Sequence, residues 1–302
     1  MINTKDITIL GTGLSGLGSA KLAKKLGLNV FVSDKNIIGE KIKKYLNENK
    51  IDFKENGHDS KRLLSADQVI ISPGISFADL KKRYPEIDKE KFISEIEFAS
   101  RFTDAYLIAV TGSNGKTTTA SLIYHVLKSS GLNVGLAGNI GVSFAESVCN
   151  CSYDFYVLEV SSFQLDHISK FKPNISIITN ISADHLDRYN YKFENYVKSK
   201  CRIVKNQKNE DYFIYNGNCA VTKKIVKTIK INSKILSFAL SKNQDKNSLI
   251  YLDKNHINSL LKKKKFMLST NKIPIKGKHN LENSMAAISV AQILKISNEK
   301  IK

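Results

Sequence analysis

The apolar run Leu107-Ile108-Ala109-Val110 leads directly into Thr111-Gly112-Ser113-Asn114-Gly115-Lys116-Thr117-Thr118, and no other stretch restricts this chain as strongly. A strand that delivers a glycine-bearing loop onto the start of a helix builds a phosphate cradle. The glycines let backbone N–H groups wrap the anion, Lys116 places a point charge near the β- and γ-oxygens, and Thr117 offers a hydroxyl to Mg²⁺. The spacing departs from the full G-x-x-x-x-G-K-[ST] pattern, since its first glycine would fall at position 110, where the chain has Val110. The loop is therefore a compact variant. A plain strand, turn and helix cap accounts for Gly112 and Thr117, but not for a lysine set between a turn glycine and a run of threonines. ATP is the expected ligand, held by Gly112, Ser113, Asn114, Gly115, Lys116, Thr117 and Thr118.

A length of 302 residues is ample for two domains, each able to bury its own core. The net charge of +19 invites a nucleic-acid partner, yet of 47 basic residues only Arg62, Arg83, Arg101, Arg188 and Arg202 are arginine. Base-edge and phosphate-fork recognition favours arginine, so no nucleic-acid partner is expected. The abundance of Lys, Ile and Asn reads as coding bias toward A and T. The run Lys262 to Lys265 reads as solvated surface. Cys149, Cys151, Cys201 and Cys219 form no C-x-x-C pair and have no His at zinc spacing, which speaks against a disulfide framework and a structural metal. The N-terminus is unlike a signal peptide, and no apolar stretch approaches the roughly 18 residues of a membrane span. A soluble, cytoplasmic protein without membrane contact is expected.

Along the chain, Ile7 to Leu10 reads as a strand, Gly11 to Gly16 as a turn, Leu17 to Leu26 as a helix, and Val30 to Ser33 as a second strand ending in Asp34. With a further strand at Val69 to Ser72, residues 1–104 form a small parallel α/β domain. From 105 to 302 strands (Leu107 to Val110, Phe155 to Val160, Ile175 to Asn180, Phe213 to Tyr215) alternate with helices (Thr117 to Ser129, Phe193 to Val204, Leu281 to Leu294), which predicts a doubly wound sheet. Residues 231 to 276 suggest small antiparallel strands.

Three further constellations carry chemistry. Gly11-Thr12-Gly13-Leu14-Ser15-Gly16, with Asp34 after the second strand, satisfies the dinucleotide fingerprint. The same turn presents N–H groups to any diphosphate, so a UDP-type substrate fits as well as NAD, and a purely structural turn is the plainer alternative. Glu159, at the carboxyl end of a strand in Val157 to Leu165, suits Mg²⁺, or is a surface acid. Asn180-Ile181-Ser182-Ala183-Asp184-His185-Leu186-Asp187-Arg188 holds more polar groups than a turn needs, although Asp184 or Asp187 also suits an N-cap and His185 a core position.

Taken in order, these blocks resemble the Mur ligases, ATP-dependent amide-forming enzymes of peptidoglycan precursor synthesis. The resemblance rests on Thr111 to Thr118, Gly138-Asn139-Ile140-Gly141, Glu159 to Leu165, Asp184 to Arg188, Lys200, and Gly277, His279, Asn280 and Asn283. Within the family the match is best to the branch that adds D-glutamate to UDP-N-acetylmuramoyl-L-alanine. The resemblance implies a Rossmann-like, UDP-sugar-binding first domain and a central phosphate-loop domain. It implies that Lys116, Glu159, His185 and Lys200 are catalytic. Thr117, Glu159, His185 and Lys200 would hold two Mg²⁺ ions, Lys200 as a carbamate formed with CO₂. Asn280 and Asn283 would approach the adenine side of ATP. Leu14, Ser15, Asp34, Lys35, Ser72, Gly74 and Asn139 would bind the UDP substrate. A monomer is expected. The chain departs from the family at Asn216-Gly217-Asn218-Cys219, where relatives commonly carry Asp-Asp, and the family's third domain begins about where this chain stops. Besides the ligase, a sibling ligase and a nucleotide- or UDP-sugar-binding fragment without turnover stay open.

Overall fold

The computed structural model describes residues 5–245, 248–261 and 266–302; the lysine run 262–265 lies outside the described residues. The chain forms two compact units. The first takes the residues up to Asp104 together with Gly141–Ser152 and Phe163–Phe171, and the second takes Ala105–Ile140, Tyr153–Ser162 and Lys172–Lys302.

In the first unit, β1 (Asp6–Leu10), β2 (Asn29–Ser33), β3 (Asp52–Lys54), β4 (Gln68–Ile71) and β5 (Phe92–Ser94) make a five-stranded sheet in the order β3-β2-β1-β4-β5. Every pairing is parallel. Leu10, Val69, Ile71 and Phe92 join Leu63 and Leu80 from the covering helices in one apolar cluster, as a sheet buried by crossover helices requires. The first helix begins at Leu14, not Leu17. Gly16 is thus helical, and its role is close approach: a Cβ there would lie 1.8 Å from the Gly11 carbonyl oxygen.

The helix Glu95–Ser100 carries two buried carboxylates. Glu95 Oε1 accepts from the Ala145 N–H at the start of the helix Phe144–Asn150, while its Oε2 is buried without a hydrogen-bond partner. Burial pushes the Glu95 carboxyl up to about 7, against the opposing pull of the Ala145 and Phe144 N–H groups. An acid raised in the folded state binds more protons there than in the unfolded chain. The stability it contributes is therefore full below its ordinary value of 4.5 and is lost as pH rises through about 7. We expect the melting temperature of the first unit to fall over this window, by a free energy on the order of 1–3 kcal/mol. Glu95→Gln should flatten the slope in thermal scans taken from pH 4 to 8; an unchanged slope would refute the assignment.

The second unit holds β6 (Tyr106–Thr111), β7 (Val134–Gly138), β8 (Phe155–Glu159), β9 (Ile175–Ile178), β10 (Tyr212–Asn216), β11 (Lys234–Ala239), β12 (Ser248–Asp253), β13 (His256–Ser259) and β14 (Phe266–Ser269). Their order is β14-β13-β12-β11-β10-β9-β6-β8-β7. The antiparallel part is smaller than expected. β11 and β12 continue the parallel sheet, and among the described residues only the pairings β12–β13 and β13–β14 are antiparallel. Short apolar runs look alike whichever way they pair; here the helix Ala220–Thr228 carries the chain back for the parallel crossover from β10 to β11. The expected helix over 193–204 also stops early, at Cys201, and tightens into a 3₁₀ turn over Arg202–Val204. Ile108 and Val110 of β6 pack with Ile123 and Leu127 of the helix Lys116–Ser129 and with Met285 and Val290 of the helix Lys278–Ile293. Among the described residues no helix is long and apolar enough to cross a membrane, and the four cysteines are free.

Candidate functional site

β6 lies between β8 and β9, with the crossover to β7 on one side and the rest of the sheet on the other. The crevice at the carboxyl ends of such strands is where open α/β sheets take ligands. The loop Thr111–Gly115 opens there. Gly115 has φ +79°, and a Cβ on it would lie 2.6 Å from Asn283 Oδ1, so glycine is required on both counts. The loop is held from β9: Asn180 Oδ1 accepts from the Asn114 N–H at 3.0 Å, and the Thr179 hydroxyl and Asn180 amide donate to the Asn114 carbonyl at 2.6 and 2.9 Å.

Register then brings the acid to the loop. Glu159 pairs with Val110 across β6–β8 and with Gly138 across β7–β8. Its carboxylate, in a residue only 3% exposed, accepts from the Thr117 hydroxyl at 2.7 Å and from the Asn139 amide at 3.0 Å. Lys116 Nζ donates to the Ser113 carbonyl at 2.8 Å. Among the described residues, no cation lies within ion-pair distance of Glu159 and no carboxylate lies within that distance of Lys116. A buried carboxylate without a cation beside a lysine without an anion is a donor set suited to a metal-bound polyphosphate.

Lys200 is also here. It is 2% exposed, its Nζ donates to the Gly112 carbonyl at 2.8 Å, and it sits 4.6 Å from the centre of the Tyr196 ring. His185 lies in a left-handed turn with its side chain 55% exposed and Nε2 3.6 Å from Asp184 Oδ2. The segment that carries it is fastened to the loop through Ser182, whose N–H and carbonyl both bond the Ser113 hydroxyl. Asn283 is buried beneath the loop, where its Oδ1 accepts from Thr119 at 3.1 Å and its amide donates to Asn280 at 3.3 Å. Asn218, in the stretch that departs from the family pattern, donates to Glu282 at 2.8 Å.

In the first unit the turn after β1 meets the ends of β2 and β4. Gly11 N–H donates to the Ser33 carbonyl, Ser72 N–H to the Leu10 carbonyl, and the buried Ser72 hydroxyl has no partner. Asp34 accepts from the Thr12 N–H and hydroxyl, both at 2.8 Å, and from the Asn36 N–H. Burial raises this carboxyl, but these donors outweigh it and hold it below its ordinary value. Leu14, Lys35 and Gly74 are exposed around the turn and Ser15 is half-buried. Asn139, grouped in the sequence with these residues, is in the second unit and serves Glu159.

Sequence reasoning missed Thr179 and Tyr196. Tyr196 was within reach, because it precedes Lys200 by one helical turn on the same face.

The model of the Mur ligase middle domain matches residues 110–291. The chain belongs to the Mur ligase family. The model of the MurD N-terminal domain matches residues 6–79. The UDP-N-acetylmuramoylalanine--D-glutamate ligase of Christiangramia forsetii is 44% identical over 99% of this chain and 66% of its own length. That of Bacteroides fragilis is 43% identical with the same coverage, so the chain spans about two-thirds of the length of these curated relatives. Among solved structures, the UDP-N-acetylmuramate:L-alanyl-gamma-D-glutamyl-meso-diaminopimelate ligase from Neisseria meningitides aligns with a TM-score of 0.64 at 20% identity, over 99% of this chain and 96% of that one. The UDP-N-acetylmuramate-alanine ligase from Thermotoga maritima aligns at 0.55 and 19%, over 98% and 66%. At these identities the structures speak for the fold. Mur ligases in general use ATP and Mg²⁺, and the Lys116, Thr117 and Glu159 cluster fits both.

Proposed function

We propose that this chain serves the ligation of D-glutamate to UDP-N-acetylmuramoyl-L-alanine, with ATP as co-substrate and an acyl phosphate on the alanyl carboxylate as the activated species. The observation that carries the reading is the convergence of Lys116, Thr117, Glu159 and Asn139 at the mouth of the β6 loop. Residues 1–104 read as the UDP-sugar-binding domain and 105–302 as the ATP-binding domain of a cytoplasmic monomer. Bound Mg²⁺ supplies positive charge to the transferring phosphoryl group. The loop N–H groups and Lys116 would hold the β- and γ-phosphates, and Glu159 with Thr117 would hold the metal; such positioning and charge stabilisation is most of what phosphoryl transfer needs. His185 completes the metal side. Lys200 is proposed as the lysine that takes up CO₂: the neutral amine nitrogen bonds the carbon, a proton leaves to water, and the resulting carboxylate would be the group that holds a second Mg²⁺. Asn280 and Asn283 are assigned to the adenine side, and Leu14, Ser15, Asp34, Lys35, Ser72 and Gly74 to the uridine diphosphate.

Calorimetric titration with UDP-N-acetylmuramoyl-L-alanine, UDP, ATP and NAD tests the binding assignments. We expect the sugar nucleotide, UDP and ATP to bind and NAD not to. Gly13→Leu adds a focused arm. A Cβ at Gly13 meets nothing within 4 Å, so the variant should fold normally while its side chain occupies the space over the turn. UDP-sugar affinity should fall by about 100-fold or more with ATP affinity unchanged. Tight NAD binding without UDP-sugar binding would overturn the reading, and ADP release that does not depend on D-glutamate would overturn the ligase assignment.

A further inference from the structure

The helix Phe193–Cys201 presents Tyr196 and Lys200 to the phosphate loop and Ser199 to the Ser162 carbonyl, and Tyr196 stands at the centre of that contact. The residue is fully buried. Its hydroxyl shares a hydrogen bond of 3.1 Å with the hydroxyl of Ser113 in the phosphate loop, the same oxygen that bonds the N–H and carbonyl of Ser182. Its ring lies under the Lys200 ammonium at 4.6 Å, and Lys200 in turn donates to Gly112. Its other flank meets Tyr189 edge to face at 5.4 Å; Tyr189 donates to Ser199, which donates to the Ser162 carbonyl three residues beyond Glu159. A tyrosine that only filled the core would need its apolar ring and one hydroxyl partner. Here the hydroxyl is spent on the nucleotide loop and the ring face on the buried lysine, so one side chain sets two parts of the site.

We propose that Tyr196 is a positioning residue with two separable actions: its hydroxyl fixes the phosphate loop for the nucleotide, and its ring fixes Lys200 for the chemical step. The inference rests on the ligase reading above. A hydrogen bond fixed before binding spares the loop from being ordered by the ligand, so its loss appears in affinity. A displaced Lys200 side chain appears in turnover, because a misplacement of about 1 Å can cost up to about 100-fold.

The test compares Tyr196→Phe and Tyr196→Leu with the unaltered protein, reading ATP affinity by calorimetry and kcat by ADP release. Tyr196→Phe keeps the ring, so ATP should bind about 3- to 10-fold more weakly, the loss of one hydrogen bond, with kcat within about twofold. In a Ser113→Ala background the same change should cost nothing further, since its partner is already gone. Tyr196→Leu should lower kcat by about tenfold or more in addition. Unchanged ATP affinity in Tyr196→Phe, or an undiminished effect of that change in Ser113→Ala, overturns the hydroxyl's role. A kcat in Tyr196→Leu equal to that of Tyr196→Phe overturns the ring's role. Should Tyr196→Leu fail to fold, the Tyr196→Phe cycle decides the proposal. Absence of ATP binding by the unaltered protein would instead sink the ligase reading itself.

Discussion

Glu159→Ala lowers ATP-dependent phosphoryl transfer by about 10³-fold or more, measured as ADP release in the presence of both co-substrates. The reason is where the charge sits. The carboxylate is buried at the end of β8, aimed at the Thr117 hydroxyl and the Asn139 amide, and unpaired with any cation among the described residues. A buried carboxylate in such a place suits a metal ion, and alanine removes that partner where charge develops in the transition state. Lys116→Ala should cost a similar factor. Its ammonium, at rest on the Ser113 carbonyl, has no competing anion among the described residues to leave when the phosphates arrive. Lys200→Ala should fall as far, and short carboxylic acids added to the assay should restore part of the rate, because they replace the carboxylate of the proposed carbamate. Activity of Glu159→Ala within about tenfold of the unaltered protein would show that the acid is structural.

Glu97→Ala should destabilise the first unit by about 3–5 kcal/mol, the usual effect of stripping one partner from a buried ion pair. One Glu97 oxygen accepts from the N–H groups of Ser169, Lys170 and Phe171 at 2.9, 2.9 and 2.7 Å. The other accepts from Arg101 Nε and Nη2 at 3.0 and 2.9 Å, and the side chain is fully buried. Alanine leaves three N–H donors and a guanidinium facing a void. In thermal denaturation the transition of this unit should drop by about 10 °C. Glu97→Gln, which keeps an acceptor for the three N–H groups, should lose less. A Glu97→Ala transition at the unaltered temperature would refute the account.

Much of the architecture was legible because it is written in local chemistry. The phosphate loop, the turn after β1, and strands β1, β2, β4, β6, β8, β9 and β10 each combine an apolar run with its own stop signal, and their boundaries shifted by only a few residues. The motif order that marks the family is likewise a property of the chain alone. β3 and β5 escaped because strands of three residues carry almost no period; they exist through pairing with β2 and β4. The direction of β11 and β12 escaped because an apolar run reads alike whichever way it pairs.

The sequence by itself singled out the residues proposed for phosphate, metal and nucleotide: Gly112 to Thr118, Glu159, Asp184 to Arg188 and Lys200. Tertiary structure decided what they touch. Glu159 reaches Thr117 across 42 positions, Thr119 reaches Asn283 across 164, and Lys200 reaches Gly112 across 88. Glu95 and Glu97 draw Gly141–Ser152 and Phe163–Phe171 into the first unit through N–H groups 50 to 74 positions downstream. A glycine's permitted angles or a strand's alternation act between neighbours and can be read in order. Strand register and the satisfaction of buried charges are settled only when distant segments pack, because the free energy that selects them is realised at the contact and nowhere along the chain.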